Sequence, residues 1–273
     1  MVVFPNAKIN LGLFVTERRN DGYHNLETVF YPVKAEDVLE IVPAEKTSIN
    51  ISGLPVAGDT GSNLVLKAFE LLQRDYPGQV TPVAIYLHKA IPMGAGMGGG
   101  SADGAFMLRL LERYFELGIR AERMFDYALS LGSDCPFFLL NRPCFAAGRG
   151  ELLEPLELSL KGYNIQLICP AVHISTVTAF RDIRPKPAAS DLRAIASIPL
   201  TEWRHCIFND FEMTVFPHFP VLAQIKSQLY QQGAVYAAMS GTGSAVYGIF
   251  PEGGKAHINI DLPFTEFVTD TLF

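Results

Sequence analysis

Residues 94–104, GAGMGGGSADG, hold six of the 23 glycines in this 273-residue chain. Glycine loses more conformational freedom on folding than any other residue, so such a density needs a physical reason. A loop without β-carbons lets backbone N–H groups approach an anion closely. The loop runs straight into an amphipathic stretch, 101–117, with Ala105, Phe106, Leu108, Leu111, Tyr114 and Phe115 on one face. A helix N-terminus therefore follows it, with unsatisfied N–H donors and about half a positive charge. That combination suits a polyphosphate. Ser101 can cap the helix or ligate a phosphate-bound Mg²⁺.

Several kinds of phosphate loop are excluded by neighbouring residues. Gly94-x-Gly96-x-x-Gly99 matches the dinucleotide fingerprint, but that fingerprint wants a second strand ending in an acid about 20 residues on. Here 101–117 is continuously helical in period. A P-loop ends in Gly-Lys-Ser/Thr, and this loop ends in Gly-Gly-Ser-Ala. The strand lysine, H-R-D and D-F-G of protein kinases are missing.

Composition narrows the class further. Apolar residues make up 49% and charged residues 18%, enough to build a sizeable core. The net charge of −6 disfavours a sequence-independent nucleic-acid binder. No apolar run approaches the ~18 residues of a membrane span, and the N-terminal MVVFPNAKINLGLF does not read as a secretory signal. Cys135, Cys144, Cys169 and Cys206 lie far apart and read as reduced, buried thiols. The expectation is a cytoplasmic protein, monomeric or homodimeric, without nucleic-acid or membrane partners.

Period-2 and period-3.6 patterns alternate along the chain. Strands are expected at 7–15, 26–34, 37–42, 47–51, 80–88, 164–169, 234–239 and 245–250. Helices are expected at 63–75, 101–117, 121–131, 176–182, 189–196, 209–215 and 219–232. The mixture argues for an α+β fold in two lobes, with the boundary within 151–163. This places an N-terminal domain that carries the glycine loop at 1–155 and a second domain at 156–273.

Three segments together resemble the GHMP small-molecule kinases, which include galactokinase, homoserine kinase and mevalonate kinase. They are 6-NAKINLGLFV-15, the loop Pro92–Ser101 and 239-MSGTGSAVYGIF-250, in the family's order and spanning almost the whole chain. The segments 7-AKINLGLFVTERRNDGYHNLETVF-30, 132-GSDCPFFL-139 and 147-AGRGE-151 are similar to a narrower branch. That branch phosphorylates a cytidine-diphosphate-linked branched polyol on a route to isoprenoids. The resemblance implies a two-lobed GHMP kinase fold. Its N-terminal lobe would be like the second domain of a ribosomal small-subunit protein, and its C-terminal lobe ferredoxin-like.

The resemblance also implies roles. Asp134, which alone reads as a turn or capping aspartate, matches the catalytic aspartate. Lys8, an interruption in an apolar strand, matches the lysine paired with it near the transferred phosphoryl. Asn10 shares the face of Lys8 and could hydrogen-bond the substrate hydroxyl or the γ-phosphate. ATP would lie along Pro92, Met93, Gly94, Ala95, Gly96, Met97, Gly98, Gly99, Gly100, Ser101 and Ala102, flanked by Asn63 and Lys89. Asn63 could equally be only a helix cap. Tyr23 and His24 are assigned to the cytosine pocket with Phe180 as the opposite side of the sandwich, and Thr176 lies near it. Ser240, Gly241 and Thr242 form a turn close to the substrate. Ser101 is the candidate Mg²⁺ ligand. Ala102 stands where many relatives carry a second serine, which leaves one hydroxyl contact in doubt. Asp103, an acid in the first turn, suits the helix dipole but would repel phosphate unless Mg²⁺ intervenes or its carboxylate points away. Rival readings are another GHMP kinase acting on a sugar or homoserine, a non-catalytic ligand-binding relative, and a dehydrogenase.

Overall fold

The computed structural model describes residues 1–56 and 60–271. In chain order the strands are β1 (Val2–Val3), β2 (Asn6–Arg18), β3 (His24–Glu36), β4 (Val38–Pro43), β5 (Ser48–Gly53), β6 (Val83–Lys89), β7 (Cys144–Ala147), β8 (Leu152–Pro155), β9 (Tyr163–Pro170), β10 (Tyr236–Met239), β11 (Val246–Pro251) and β12 (Phe264–Asp270). The α-helices are α1 (Leu64–Asp75), α2 (Gly99–Phe115), α3 (Ala121–Leu131), α4 (Cys135–Leu140), α5 (Thr176–Phe180), α6 (Trp203–Cys206), α7 (Phe211–Val215) and α8 (Pro220–Gln231). The chain divides into two compact units. The first comprises Met1–Ala7, Ala35–Met93 and Gly98–Asn141; the second comprises Lys8–Lys34, Gly94–Met97 and Arg142–Phe273. The units interleave along the chain.

In the first unit a four-stranded sheet runs in the order β1-β4-β6-β5. β5 and β6 are parallel, and α1 forms the crossover that parallel pairing requires. α1 starts where Asn63 accepts from Val65 N (2.9 Å), and it buries Val65, Ala68, Phe69 and Leu72 at helical spacing. β6 alternates strictly, burying Val83, Ile85, Leu87 and Lys89 while Tyr86 and His88 face outward. The lysine thus lies on the inward register of its own strand. α2 packs against α1, α3 and α4.

In the second unit an antiparallel sheet runs in the order β10-β11-β9-β12. Numbered along the chain this is 2-3-1-4, the ferredoxin-like arrangement. Leu222, Ile225 and Leu229 of α8 are buried in one apolar cluster with Ile168, Val246, Phe250 and with Leu13 and Val15 of β2. The sheet β2-β3-β7-β8 has its bulk in this unit. The mixed α+β architecture agrees with the sequence reading.

Some local expectations differ. The helix expected from 101 begins two residues earlier and ends at Phe115. The helix expected at 189–196 is a 3₁₀ segment, Leu192–Ser197, opened by the Asp191 side chain on Arg193 N (3.0 Å). α4 and the strands β7, β8 and β12 were not anticipated. Cys135–Leu140 is a short, wholly apolar run with no helical period to read. β7 and β8 are four residues each, around a Gly-Arg-Gly turn. Cys135, Cys144 and Cys169 are buried free thiols as expected, whereas Cys206 is partly exposed.

Candidate active site

Along the glycine loop, Gly94, Gly96 and Gly98 take φ of +70°, +78° and +71°. Gly98 is the N-cap of α2, with no side chain capping the helix, and Ala102 N donates to Gly98 O (2.8 Å). The N–H groups of Gly99, Gly100 and Ser101 therefore have no acceptor within the helix. A β-carbon at Gly100 would meet only the flexible end of Met93 (3.1 Å to Cε). Ser101 does not cap the helix, correcting one of its expected roles. It sits inside the first turn of α2. Burial pushes the Cys135 thiol up to about 12, a rise that the Ser101 hydroxyl opposes.

Gly94–Met97 belongs to the second unit, where it joins the first and third sequence motifs. Lys8 N donates to Met97 O (2.9 Å), and Ala245 N donates to Ala95 O (3.0 Å). Ser240 Oγ donates to Gly96 O (2.8 Å). A β-carbon at Gly96 would lie 2.0 Å from Ser240 O, so no larger residue fits. Asn209, which the sequence did not single out, donates to Met239 O (2.7 Å) and Gly241 O (2.8 Å) and so holds the Ser240–Thr242 turn.

Lys8 and Asn10 are both buried. Lys8 Nζ donates to Asn10 Oδ1 (2.7 Å) and lies 4.4 Å from the centroid of the Phe30 ring. Asn10 Nδ2 donates to Thr28 Oγ1 (2.9 Å), whose hydroxyl donates to Gly12 O (2.5 Å). Tyr247 OH donates to Asn10 O (2.7 Å). The Asn10 amide is thus engaged in orienting Lys8. Thr28 and Tyr247 carry no motif that would have flagged them.

The expected aromatic sandwich takes a different form. The His24 and Phe180 rings stack directly on each other at 4.7 Å and 27°, which leaves no room for a base between them. Phe180 also meets Phe211 edge-on at 4.8 Å. Burial, then the charge of Arg18, holds the His24 imidazole below its ordinary pKa. Tyr23 is 51% exposed, and the Arg149 guanidinium lies 3.9 Å from its ring centroid. Thr176 is exposed at the start of α5.

In the first unit, Asp134 precedes α4 as its N-cap residue, but its carboxylate makes no capping bond to that helix. The plain capping explanation therefore does not account for it. Asn63 caps α1. Lys89 is 1% exposed and turned to two carboxylates, Asp37 and Asp103, rather than outward. The described residues hold no cluster of three or more His, Cys, Asp or Glu that could cage a metal.

The glycine loop with the start of α2, and the Ser240 turn, lie in segments that match family models, whereas Lys8 and Asn10 lie outside those segments. The description GHMP kinases N terminal domain matches residues 63–142, and GHMP kinases C terminal matches 191–258. A curated protein of Bacteroides fragilis named 4-diphosphocytidyl-2-C-methyl-D-erythritol kinase is 52% identical over 97% of both chains. One of the same name from Bacteroides thetaiotaomicron is 50% identical over 93% of both. A crystal structure titled 4-(cytidine 5'-diphospho)-2C-methyl-D-erythritol kinase superposes with a TM-score of 0.78 at 35% identity, covering 91% of this chain and 90% of that one.

The chain belongs to the GHMP kinases. As a GHMP kinase it is a small-molecule phosphotransferase, and its family implies ATP as the phosphoryl donor. No helix among the described residues is long and apolar enough to cross a membrane. The dehydrogenase reading is set aside by the family match.

Proposed function

We propose that this GHMP kinase transfers the γ-phosphoryl group of ATP to the 2-hydroxyl of 4-diphosphocytidyl-2-C-methyl-D-erythritol, giving the 2-phosphate and ADP. The observation that carries this reading is the 52% identity across 97% of both chains with a relative of that name.

The reaction is an in-line displacement. Asp134 takes the proton of the 2-hydroxyl while that oxygen bonds to the γ-phosphorus. The bond from phosphorus to the β–γ bridging oxygen breaks, and its electron pair leaves with ADP. General-base assistance of this kind contributes about 10²–10⁴ in rate. The remainder is positioning and charge stabilisation. Lys8, held by Asn10, neutralises charge building on the transferred group, and the N–H groups of Gly99, Gly100 and Ser101 cradle the phosphates.

Mg²⁺ would arrive on the nucleotide, and the Ser101 hydroxyl in the first turn of α2 would be its protein contact. When bound, it supplies Lewis-acid neutralisation of the phosphates. For the acceptor, Tyr23, His24 and Phe180 receive the cytosine. Because His24 and Phe180 already touch, the base enters by displacing one ring from the other. The Ser240–Thr242 turn and Thr176 border the acceptor.

The test is a coupled ADP-release assay against a panel of acceptors. Turnover with the diphosphocytidyl polyol, inhibited by free cytidine nucleotides, supports the reading. Preference for homoserine or a sugar, with indifference to cytidine nucleotides, refutes it.

A further inference from the structure

Asp37, Lys89 and Asp103 come from three separate stretches of the first unit and meet as an ion triad, with exposures of 0%, 1% and 3%. Lys89 Nζ donates to Asp37 Oδ2 and, at 2.6 Å, to Asp103 Oδ2. The other oxygen of Asp37 accepts from Ala90 N (2.6 Å) and Ile91 N (2.9 Å). Asp103 Oδ1 has no hydrogen-bond partner among the described residues. Burying two acids and one ammonium is a poor way to gain stability, because a well-packed apolar replacement is often as stable or more so.

Placement supplies a better reason. Ala90 and Ile91 are the residues that lead from β6 into the glycine loop, and Asp103 lies in the fifth position of α2, one turn beyond the loop. The triad therefore ties the strand that enters the loop to the helix that leaves it. The closure is tight: a β-carbon on Gly99 would sit 2.9 Å from Ile91 Cγ2 and 3.5 Å from Lys89 Nζ. The same bond turns one Asp103 oxygen onto an ammonium, which tempers an acid near a helix end that would otherwise repel phosphate.

We propose that Asp37 and Asp103 are positioning residues that act through Lys89 to clamp both ends of the glycine loop, setting the spacing at which Gly99, Gly100 and Ser101 meet the triphosphate. This rests on the reading of residues 94–101 as the ATP cradle. It assigns Asp103 a role the sequence did not reveal, and it moves Lys89 from beside the nucleotide to a support of the loop.

The test uses the full-length enzyme with Asp103→Asn, Lys89→Met and the double variant, each checked for folding by circular dichroism at the assay temperature. Misplacing reacting groups by about 1 Å can cost ~10²-fold. Asp103→Asn is expected to lower kcat/KM for ATP by about 10–100-fold while KM for the acceptor stays within about twofold. The double variant is expected to be no worse than the worse single, because the residues act as one device. A folded Asp103→Asn with unchanged ATP constants overturns the proposal. So does a parallel loss in ATP and acceptor constants, which marks a merely structural role. Should Asp103→Asn not fold, Asp37→Asn is read by the same criteria. A wild-type enzyme with no ATP turnover refutes the cradle itself; an active wild type with an unmoved variant refutes only the clamp.

Discussion

Replacing Gly96 with alanine probes how closely the glycine loop packs against the Ser240 turn. Gly96 has φ +78°, and the added β-carbon would lie 2.0 Å from Ser240 O, 2.9 Å from Ser240 C and 3.2 Å from Gly243 O. Left-handed backbone costs a non-glycine residue about 1–2 kcal/mol. Overpacking against atoms that cannot swing aside adds about 1–3 kcal/mol. Displacing the turn also loosens the Ser240 Oγ–Gly96 O bond of 2.8 Å, worth about 1 kcal/mol. Together these amount to about 3–6 kcal/mol, which for a chain of this size lowers Tm by roughly 6–24 °C. Gly118→Ala is the control: φ is +64° with nothing within 4 Å, so only the backbone strain applies. Its Tm should fall by roughly 2–8 °C. Differential scanning calorimetry of both variants, with KM for ATP, decides the matter. If Gly96→Ala melts with Gly118→Ala and keeps its KM for ATP, the close packing of loop on turn is refuted.

Further outcomes are expected at other residues. Asp134→Asn should lower kcat by about 10²–10⁴ while leaving ATP affinity within a few-fold in calorimetric titration; normal turnover would remove Asp134 from the chemistry. Asn10→Ala takes a charge-assisted bond of about 1.5–3 kcal/mol from Lys8, and steady-state kinetics should show kcat/KM down by about 10–150-fold. Phe180→Ala should raise KM for the cytidine-bearing acceptor by about 5–150-fold, the worth of one stacked base at ~1–3 kcal/mol, and leave KM for ATP alone. Asp75 is held at about 2, against 3.8, first by Arg74 and then by Tyr127. Its stabilising contribution is present above the unfolded value and is lost as pH falls from 3.8 toward 2, so Asp75→Asn should flatten that part of the acid-denaturation curve.

The sequence made the site's backbone readable and left its side-chain supports hidden. Glycine clustering and helical period located the loop and the start of α2 within two residues, because a polyphosphate cradle is written in consecutive positions. Lys8 and Asn10 were placed on one face by the period of a strand. The burial of Lys89 was also legible in principle, since it continues the inward register of Val83, Ile85 and Leu87. Its partner Asp37 was not, because 52 residues separate them and no local pattern joins a strand lysine to an acid between two other strands. Asn209 was hidden for the same reason: it holds carbonyls at 239 and 241, some thirty residues away. The direct stacking of His24 on Phe180 depends on packing around Phe211, which composition and spacing do not encode.

The most direct test of the account is phosphorus NMR of the reaction of the full-length enzyme with ATP and 4-diphosphocytidyl-2-C-methyl-D-erythritol. The account predicts one new phosphomonoester resonance on the 2-oxygen and one ADP formed per acceptor consumed, both appearing at least about 100-fold more slowly in Asp134→Asn at equal protein concentration. No phosphomonoester, or an undiminished one in that variant, would contradict it.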